Sequence, residues 1–337
     1  MAITAKEIAQ LAGVSRGTVD RALKGRSGIA ENTKKRIMDI AKQYDYKPNI
    51  IGKALVYSGK HIYVPVILNS IGNPFFEDVK SGILAAEKEY AGYGFRAEIF
   101  ECKGYEPEPM LRLLDALPDN ISQLVITPIY HKSVLEKLLE LQKRNVKIIL
   151  LSSELEDLTE ATYIGCDYEK SGRIAGKLTG LLSDGKAELF IITGSAQHKG
   201  HRKRVNGLRD IISKEYPEIH LAGMAESNDD DSTAYSVLCS AFKKNPEIDF
   251  VFITAGGVKG ALKAIKEQCR KIRVCTFDET TVTRKALKQG DILATICQQP
   301  YEQGFGTIKA LYETIILKNE IANEIYKDLY IKIDQSL

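Results

Sequence analysis

Ser15-Arg16-Gly17-Thr18, with Arg21 one helical turn on, is the stretch of this 337-residue sequence best suited to reading a nucleic acid. Arginine can bond guanine through two parallel N–H groups, and serine and threonine hydroxyls can hold phosphates or base edges. A second set of polar residues is spread through the rest of the chain. NSIGNPFF (Asn69–Phe76) carries Asn73 beside Phe75 and Phe76, whose rings could stack on the apolar face of a sugar or instead staple the helix that comes next. GSAQHKGHRKRVNGL (Gly194–Leu208) brings His198, His201 and Arg204 to a helix start, where backbone N–H groups point outward. TFDET ends a strand pattern with Asp278 and Glu279, and TICQQPYEQG ends another with Gln298. Arginine, carboxylates and amides grip hydroxyls in pairs, and a ligand that leaves one unpaired is penalised. His198 and His201 have a spacing compatible with metal, but no acid or cysteine completes a set nearby. No metal and no cofactor is expected, and His201 is read as a hydrogen-bonding residue.

The elements that must position the first set are short helices. Thr4 and Glu7 have the spacing of a capping box that opens a helix, with Ile8, Leu11 and Ala12 predicted on one face. Gly13 stops it. Ser15 can cap a second helix whose inner face is Val19, Ala22 and Leu23, and Gly25 closes it. A third helix from about Glu31 turns Ile37, Ile40, Ala41 and Tyr44 inward, and Pro48 ends it. Two short helices joined by a tight glycine turn, with a supporting third, make a helix-turn-helix. Thr4, at the entry of the first helix, is grouped with the DNA-facing residues. Charge agrees: residues 1–60 hold twelve Lys and Arg against five Asp and Glu, whereas the other 277 residues carry four more acids than bases. A basic head on a slightly acidic body points to a polyanion partner for the head alone.

The run AKEIAQLAGVSRGTVDRALKG, followed by KRIMDIAKQYDYKPNIIGKAL, resembles the lactose-repressor (LacI/GalR) family. The resemblance implies that Arg16 and Gly17 read base edges, that Arg21 is the arginine at the helix end, and that Asn49, Lys53 and Leu55 belong to a hinge helix whose leucine wedges into the minor groove. Read on its own, without the family, Leu55 is an ordinary buried linker leucine. Asp20 replaces a usual serine and Gly52-Lys53 a usual Ala-Arg; glycine lowers helix propensity by about 1 kcal/mol, which suggests a hinge that folds only on DNA.

From His61 on, apolar runs alternate with amphipathic segments such as Glu77–Tyr90. Candidate strands are Ile62–Leu68, Phe95–Phe100, Leu124–Pro128, Lys147–Leu151, Thr162–Cys166, Glu188–Thr193, Phe250–Thr254, Arg273–Phe277 and Leu293–Cys297. Such alternation predicts doubly wound parallel sheets with ligand chemistry at the carboxyl ends of the strands. The whole is therefore a small all-α head plus an α/β body of two lobes. Expected boundaries are 1–48 for the head, 49–60 for the hinge and 61–337 for the body, with 61–166 plus 299–325 in one lobe and 167–298 plus 326–337 in the other. The body also resembles the type I periplasmic-binding-protein fold, which implies ligand contacts from Asn73, Phe75, Phe76, Arg204, Asp278 and Gln298. The family's Asp-Arg pair after one strand is Ser152-Ser153 here, which makes Ser152 a candidate contact and suggests that Glu279 and His201 compensate.

Six scattered cysteines, with no C-x-x-C pair, fit reduced thiols in a cytoplasmic protein. No apolar run approaches the roughly 20 residues of a membrane span, and no signal peptide is visible. The expected function is a sequence-specific DNA-binding transcription regulator acting as a homodimer on palindromic operator DNA, switched by a small polar effector such as a sugar. Two rivals remain. AGGVKG (Ala255–Gly260) with Asp278 nearly fits a dinucleotide fingerprint, which suggests a nucleotide-dependent enzyme. The body alone fits a transport solute-binding protein, which would need export.

Overall fold

The computed structural model describes residues 3–23, 27–44, 46, 61–155 and 157–337. The proposed hinge 49–60, and with it Asn49, Lys53 and Leu55, lies outside these residues, as do Gly25 and Pro48.

Helix α1 (Ala5–Ala12) begins at a reciprocal capping box: the Thr4 hydroxyl accepts the Glu7 N–H, and the Glu7 carboxylate accepts the Thr4 N–H at 2.7 Å. It ends at Gly13, whose φ of 60° closes the turn into α2 (Arg16–Leu23). The Ser15 hydroxyl accepts the Thr18 N–H at 3.1 Å and so opens α2. With α3 (Glu31–Gln43), these helices enclose a small core of Ile8, Ala9, Ala12, Val19, Ala22 and Ile37. Two inner-face assignments are corrected: Leu11 is 54% exposed and Tyr44 47% exposed. A three-helix unit has only a narrow interior, and Ile8 and Ile37 already fill it.

The body holds two parallel sheets. The first runs β2 (Phe95–Cys102), β1 (Ile62–Asn69), β3 (Gln123–Ile126), β4 (Lys147–Leu151), β5 (Thr162–Gly165) and β11 (Glu324–Tyr326). The second runs β7 (Glu218–Glu226), β6 (Lys186–Thr193), β8 (Phe250–Ile253), β9 (Arg273–Phe277), β10 (Ala294–Cys297) and, antiparallel, β12 (Tyr330–Lys332). The central strands are apolar on both faces because helices cover both, giving each lobe two core layers. In both sheets the strand order reverses beside the first strand, at β1/β3 and at β6/β8. These are the switch points where crevices open at the carboxyl ends of the strands.

The chain passes between the sheets after β5, after β10 and after β11. Tyr326, expected with the second lobe, pairs with Gly165 in the first sheet. On the first lobe α4 (Phe75–Tyr90) packs on α12 (Pro300–Ile315) at backbone contact: a Cβ on Gly82 would lie 2.1 Å from the Tyr301 carbonyl oxygen, and one on Gly304 2.0 Å from that of Val79. Strand β7 was not expected. Ile219 is its one buried residue, so it lacks the apolar run of an inner strand.

Candidate functional site

On the head, Arg16, Gly17 and Arg21 are exposed along α2, with Thr18 half-buried behind Ser15. The hydroxyls of Ser15 and Thr18 lie 2.9 Å apart. The outward face of α2 thus presents two guanidiniums at a glycine that would hold no side chain against a groove. Thr4 is exposed too, at the entry of α1, where its N–H and hydroxyl are both engaged with Glu7.

In the body, the carboxyl ends of both sheets face each other across a cleft with two chambers. The outer chamber has a volume of about 270 Å³, just below the usual range for small-molecule sites. The inner one is about 60 Å³. Asn69, Asn73, Tyr105, Asp229, Gly256 and Asp278 line both, so the chambers form one continuous cleft.

Polar contacts cross this cleft. Tyr105, in the loop after β2, donates its hydroxyl to Asp229 Oδ2 at 2.6 Å; Asp229, in the loop after β7, also accepts the Gly256 N–H at 2.7 Å. Glu154, after β4, binds Lys203 at 2.6 Å and Lys199 at 2.9 Å, both on α8 (Lys199–Glu215). Burial alone would raise the Glu154 carboxyl, but its bonds to Lys203 and Lys199 together carry it below its ordinary value. Tyr168, the first residue of α7 (Tyr168–Leu182), donates to the Ser152 carbonyl. Except for the Asp229–Gly256 bond, which lies within the second lobe, each of these contacts joins one lobe to the other, so the lobes are held closed by groups that reorganise if they part.

The inner chamber is built around Arg204, which is 2% exposed. Its Nε donates to the Ser171 hydroxyl at 3.2 Å, and its terminal nitrogens to the Thr254 carbonyl at 2.5 Å and Gln298 Oε1 at 2.8 Å. The guanidinium lies 3.7 Å from the centre of the Phe277 ring. Gln298, held by Arg204, donates its amide to Asp278 Oδ1 at 2.6 Å. Asp278 comes directly after β9 in a left-handed conformation, φ 66°, which turns its carboxyl toward the cleft. Burial pushes that carboxyl up to about 6, against the opposing effects of Arg204 and Gln298. His198 and His201 stack with ring centres 4.3 Å apart. The Ser195 N–H donates to His201 Nδ1 at 3.0 Å. Burial first, and Arg204 second, lower His201 to about 3. Burial, then His201, lowers His198 well below its ordinary value. Both imidazoles are therefore neutral at physiological pH.

The structure brings Asn73, Phe75, Phe76, Ser152, His201, Arg204, Asp278 and Gln298 to the inner chamber. Phe75 and Phe76 combine the two readings offered for them: they form the first turn of α4, pack edge to face at 5.2 Å in the core, and border the cleft. Ser152 donates to Gln303 at 2.6 Å, so its hydroxyl is directed to α12. Glu279 is corrected. It lines neither chamber, and its two oxygens bind Arg284 and Lys332. Asp278 takes the left-handed turn into the cleft, which sends the next side chain the other way.

Sequence reasoning missed Tyr105, Thr127, Tyr168 and Asp229, and treated His198 only as half of a metal pair. Each of the four lies within a few residues of a strand's carboxyl end. Asp229 was hidden because β7 was. The other three stand just past β2, β3 and β5, where polar and aromatic residues at a strand end were signal enough.

The glycines of AGGVKG have a packing explanation. A Cβ on Gly257 would meet Ala234 at 2.7 Å, and one on Gly260 would meet the Asp231 carbonyl oxygen at 1.7 Å, both at the start of α9 (Asp231–Lys244). They let α10 (Val258–Lys266) lie on α9 rather than opening a pyrophosphate cradle.

Comparison with known proteins bears on both parts. Residues 63–319 match the family model for a periplasmic binding protein domain, and residues 4–49 that for bacterial regulatory proteins of the lacI family. The chain is 28% identical over 222 residues to the probable HTH-type transcriptional repressor ExuR of Bacillus subtilis, a match spanning 65% of this chain and 63% of that protein. It is 21% identical over 258 residues to the ribose import binding protein RbsB of Haemophilus influenzae, covering 76% and 86% of the two chains. The crystal structure of GanP, a glucose-galactose binding protein from Geobacillus stearothermophilus, superposes with a TM-score of 0.76 at 22% identity, covering 82% of this chain and 99% of that one. That likeness speaks to the fold of the body. Among the described residues no helix is long and apolar enough to cross a membrane. With a helix-turn-helix at one end and a two-lobed cleft behind it, the chain belongs to the periplasmic binding protein domain family over residues 63–319 and carries a head of the lacI family of bacterial regulatory proteins over residues 4–49, the make-up of a DNA-binding transcription regulator.

Proposed function

We propose that this regulator is a repressor whose hold on operator DNA is set by a small polar effector, a sugar or sugar derivative, bound between the two lobes. The observation that carries this reading is the cleft: lobe-to-lobe polar contacts surround it, and the same chain carries exposed arginines on a groove-sized helix. Ser15, Arg16, Gly17, Thr18 and Arg21 meet the duplex, with Asn49, Lys53 and Leu55 in the segment behind them. Asn73, Phe75, Phe76, Ser152, His201, Arg204, Asp278 and Gln298 surround the effector, several of them by positioning others. The relatives named for repression and for ribose import, and the glucose-galactose binding protein, support the two halves separately.

Residues 1–48 form the head, 49–60 the hinge, and 61–337 the body. Two copies pair through their bodies and place two heads on a palindromic site, so that half-site spacing follows the twofold axis. An effector that favours one lobe arrangement changes the spacing of the hinges, and its affinity and that of the operator are reciprocally linked. Operator DNA places the working protein in the cytoplasm.

Fluorescence anisotropy on promoter fragments tests this. Arg16→Ala should weaken and broaden operator choice by roughly 1–3 kcal/mol, and binding should fall steeply as salt rises. A sugar should alter wild-type affinity for the operator. Salt-insensitive binding, or no response to any sugar or sugar derivative, would refute the proposal.

A further inference from the structure

Two buried polar atoms in the cleft have no hydrogen-bond partner among the described residues: Thr127 Oγ1 and His198 Nδ1. Both residues line the inner chamber, and they come from opposite lobes, Thr127 at the end of β3 and His198 ahead of α8. Thr127 is 3% exposed. A buried hydroxyl or ring nitrogen left without a partner is unfavourable, and native proteins keep such groups where something else completes them.

We propose that the inner chamber selects an uncharged polyhydroxylated ring over its acidic or phosphorylated counterpart, with Thr127 and His198 as ligand contacts from the two lobes. This rests on the reading that a sugar-like effector occupies the cleft, and narrows it to one charge class.

A ligand hydroxyl both donates and accepts, so one kind of group can serve Thr127 and His198 alike. An anion needs a free cation, and Arg204 is the one Lys or Arg among the described residues lining this chamber. Its fork is already engaged by Ser171, Thr254 and Gln298, with its flat side against Phe277. The two histidines are held neutral by burial. Of the remaining titratable groups, Tyr105 and Tyr168 are kept neutral by burial, and Asp229 and Asp278 are acids. A carboxylate or phosphate entering here meets like charge in a poorly solvated site, which disfavours it tenfold or more by order of magnitude. The outer chamber adds Lys103 and Lys259, but beside Asp230 and Asp231, so it offers no net positive field either.

The test is calorimetric titration of the full-length protein with D-glucose, D-galactose and D-ribose against glucuronate, galacturonate, glucose 6-phosphate and ribose 5-phosphate. The expected result is that at least one neutral sugar binds, and binds at least about tenfold more tightly than its own acidic or phosphorylated form. Thr127→Val, which keeps shape and removes the hydroxyl, should weaken that sugar about threefold to tenfold. It should not lower the melting temperature of the unliganded protein, because it deletes an unsatisfied group. His198→Phe, which keeps a ring to stack on His201, should weaken the sugar similarly. Tighter binding of an acidic or phosphorylated form overturns the charge selection while leaving a sugar effector in place. Unchanged affinity in a folded Thr127→Val protein overturns the assigned contact. Failure of every member of the panel to bind overturns the inference and the underlying sugar reading together.

Discussion

Asp278 offers a perturbation whose sign is opposite to the usual behaviour of a carboxylate. Most aspartates gain partners on folding and lose stability in acid. Asp278 is half-buried, its carboxyl enclosed beside Gln298 with Asp229 adding like charge, and that carboxyl ionises near 6 instead of 3.8. The folded chain therefore binds this proton more tightly than the unfolded chain, and stability from this group falls as pH rises from 3.8 to 6. The difference corresponds to about 3 kcal/mol lost once the pH is well above 6. Asparagine is the appropriate replacement. It tolerates the left-handed φ of 66°, and its carbonyl can still accept the Gln298 amide. Asp278→Asn should thus stabilise the unliganded protein by up to about 3 kcal/mol near pH 8, and by almost nothing near pH 4. Urea unfolding followed by circular dichroism at about five pH values between these limits gives the difference directly. A variant whose advantage is flat with pH, or shrinks as pH rises, would show that this carboxyl is not held in a charge-averse setting.

Tyr105→Phe removes the lobe-to-lobe bond to Asp229 and should cost about 1.5–3 kcal/mol of closed-state stability, seen as a larger radius of gyration by small-angle scattering and weaker effector binding. Gly304→Ala drives a methyl to 2.0 Å from the Val79 carbonyl oxygen, so α4 and α12 must separate; a loss of about 1–3 kcal/mol in urea unfolding is expected. Thr4→Ala removes half of the capping box on α1 and should cost about 1 kcal/mol, read as faster amide hydrogen exchange over residues 5–12. Glu279→Gln, by contrast, should leave effector affinity unchanged in calorimetry, because both oxygens of Glu279 face cations outside the cleft.

The head was legible because its signals are local. A capping box, a left-handed glycine and a serine cap each act within one turn, and all three appear at the residues that announce them. The inner strands were legible because burial on both faces leaves an unbroken apolar run. Edge strands carry no such mark, and three of the four were not legible, β2 being the exception: β7 buries Ile219 alone, and β11 and β12 are three residues each. Their placement depends on partners far away in sequence. The cleft divides in the same way. Arg204, Asp278 and Gln298 stood out as charged or amide groups at strand ends. The bond between Tyr105 and Asp229 links residues 124 positions apart and depends on how two lobes close, which no local pattern encodes. Glu279 was misplaced for the converse reason, since a neighbour in sequence can point away when the backbone between them turns left-handed.

The three passages of the chain between the sheets mean that neither lobe is a continuous stretch of polypeptide. The first sheet lacks its last strand until Tyr326 has been made, and the second lacks its own until Lys332. The head, by contrast, draws only on the first few dozen residues. On the ribosome the three-helix head is therefore finished long before either lobe, and removing a few dozen residues from the far end leaves both lobes incomplete at once.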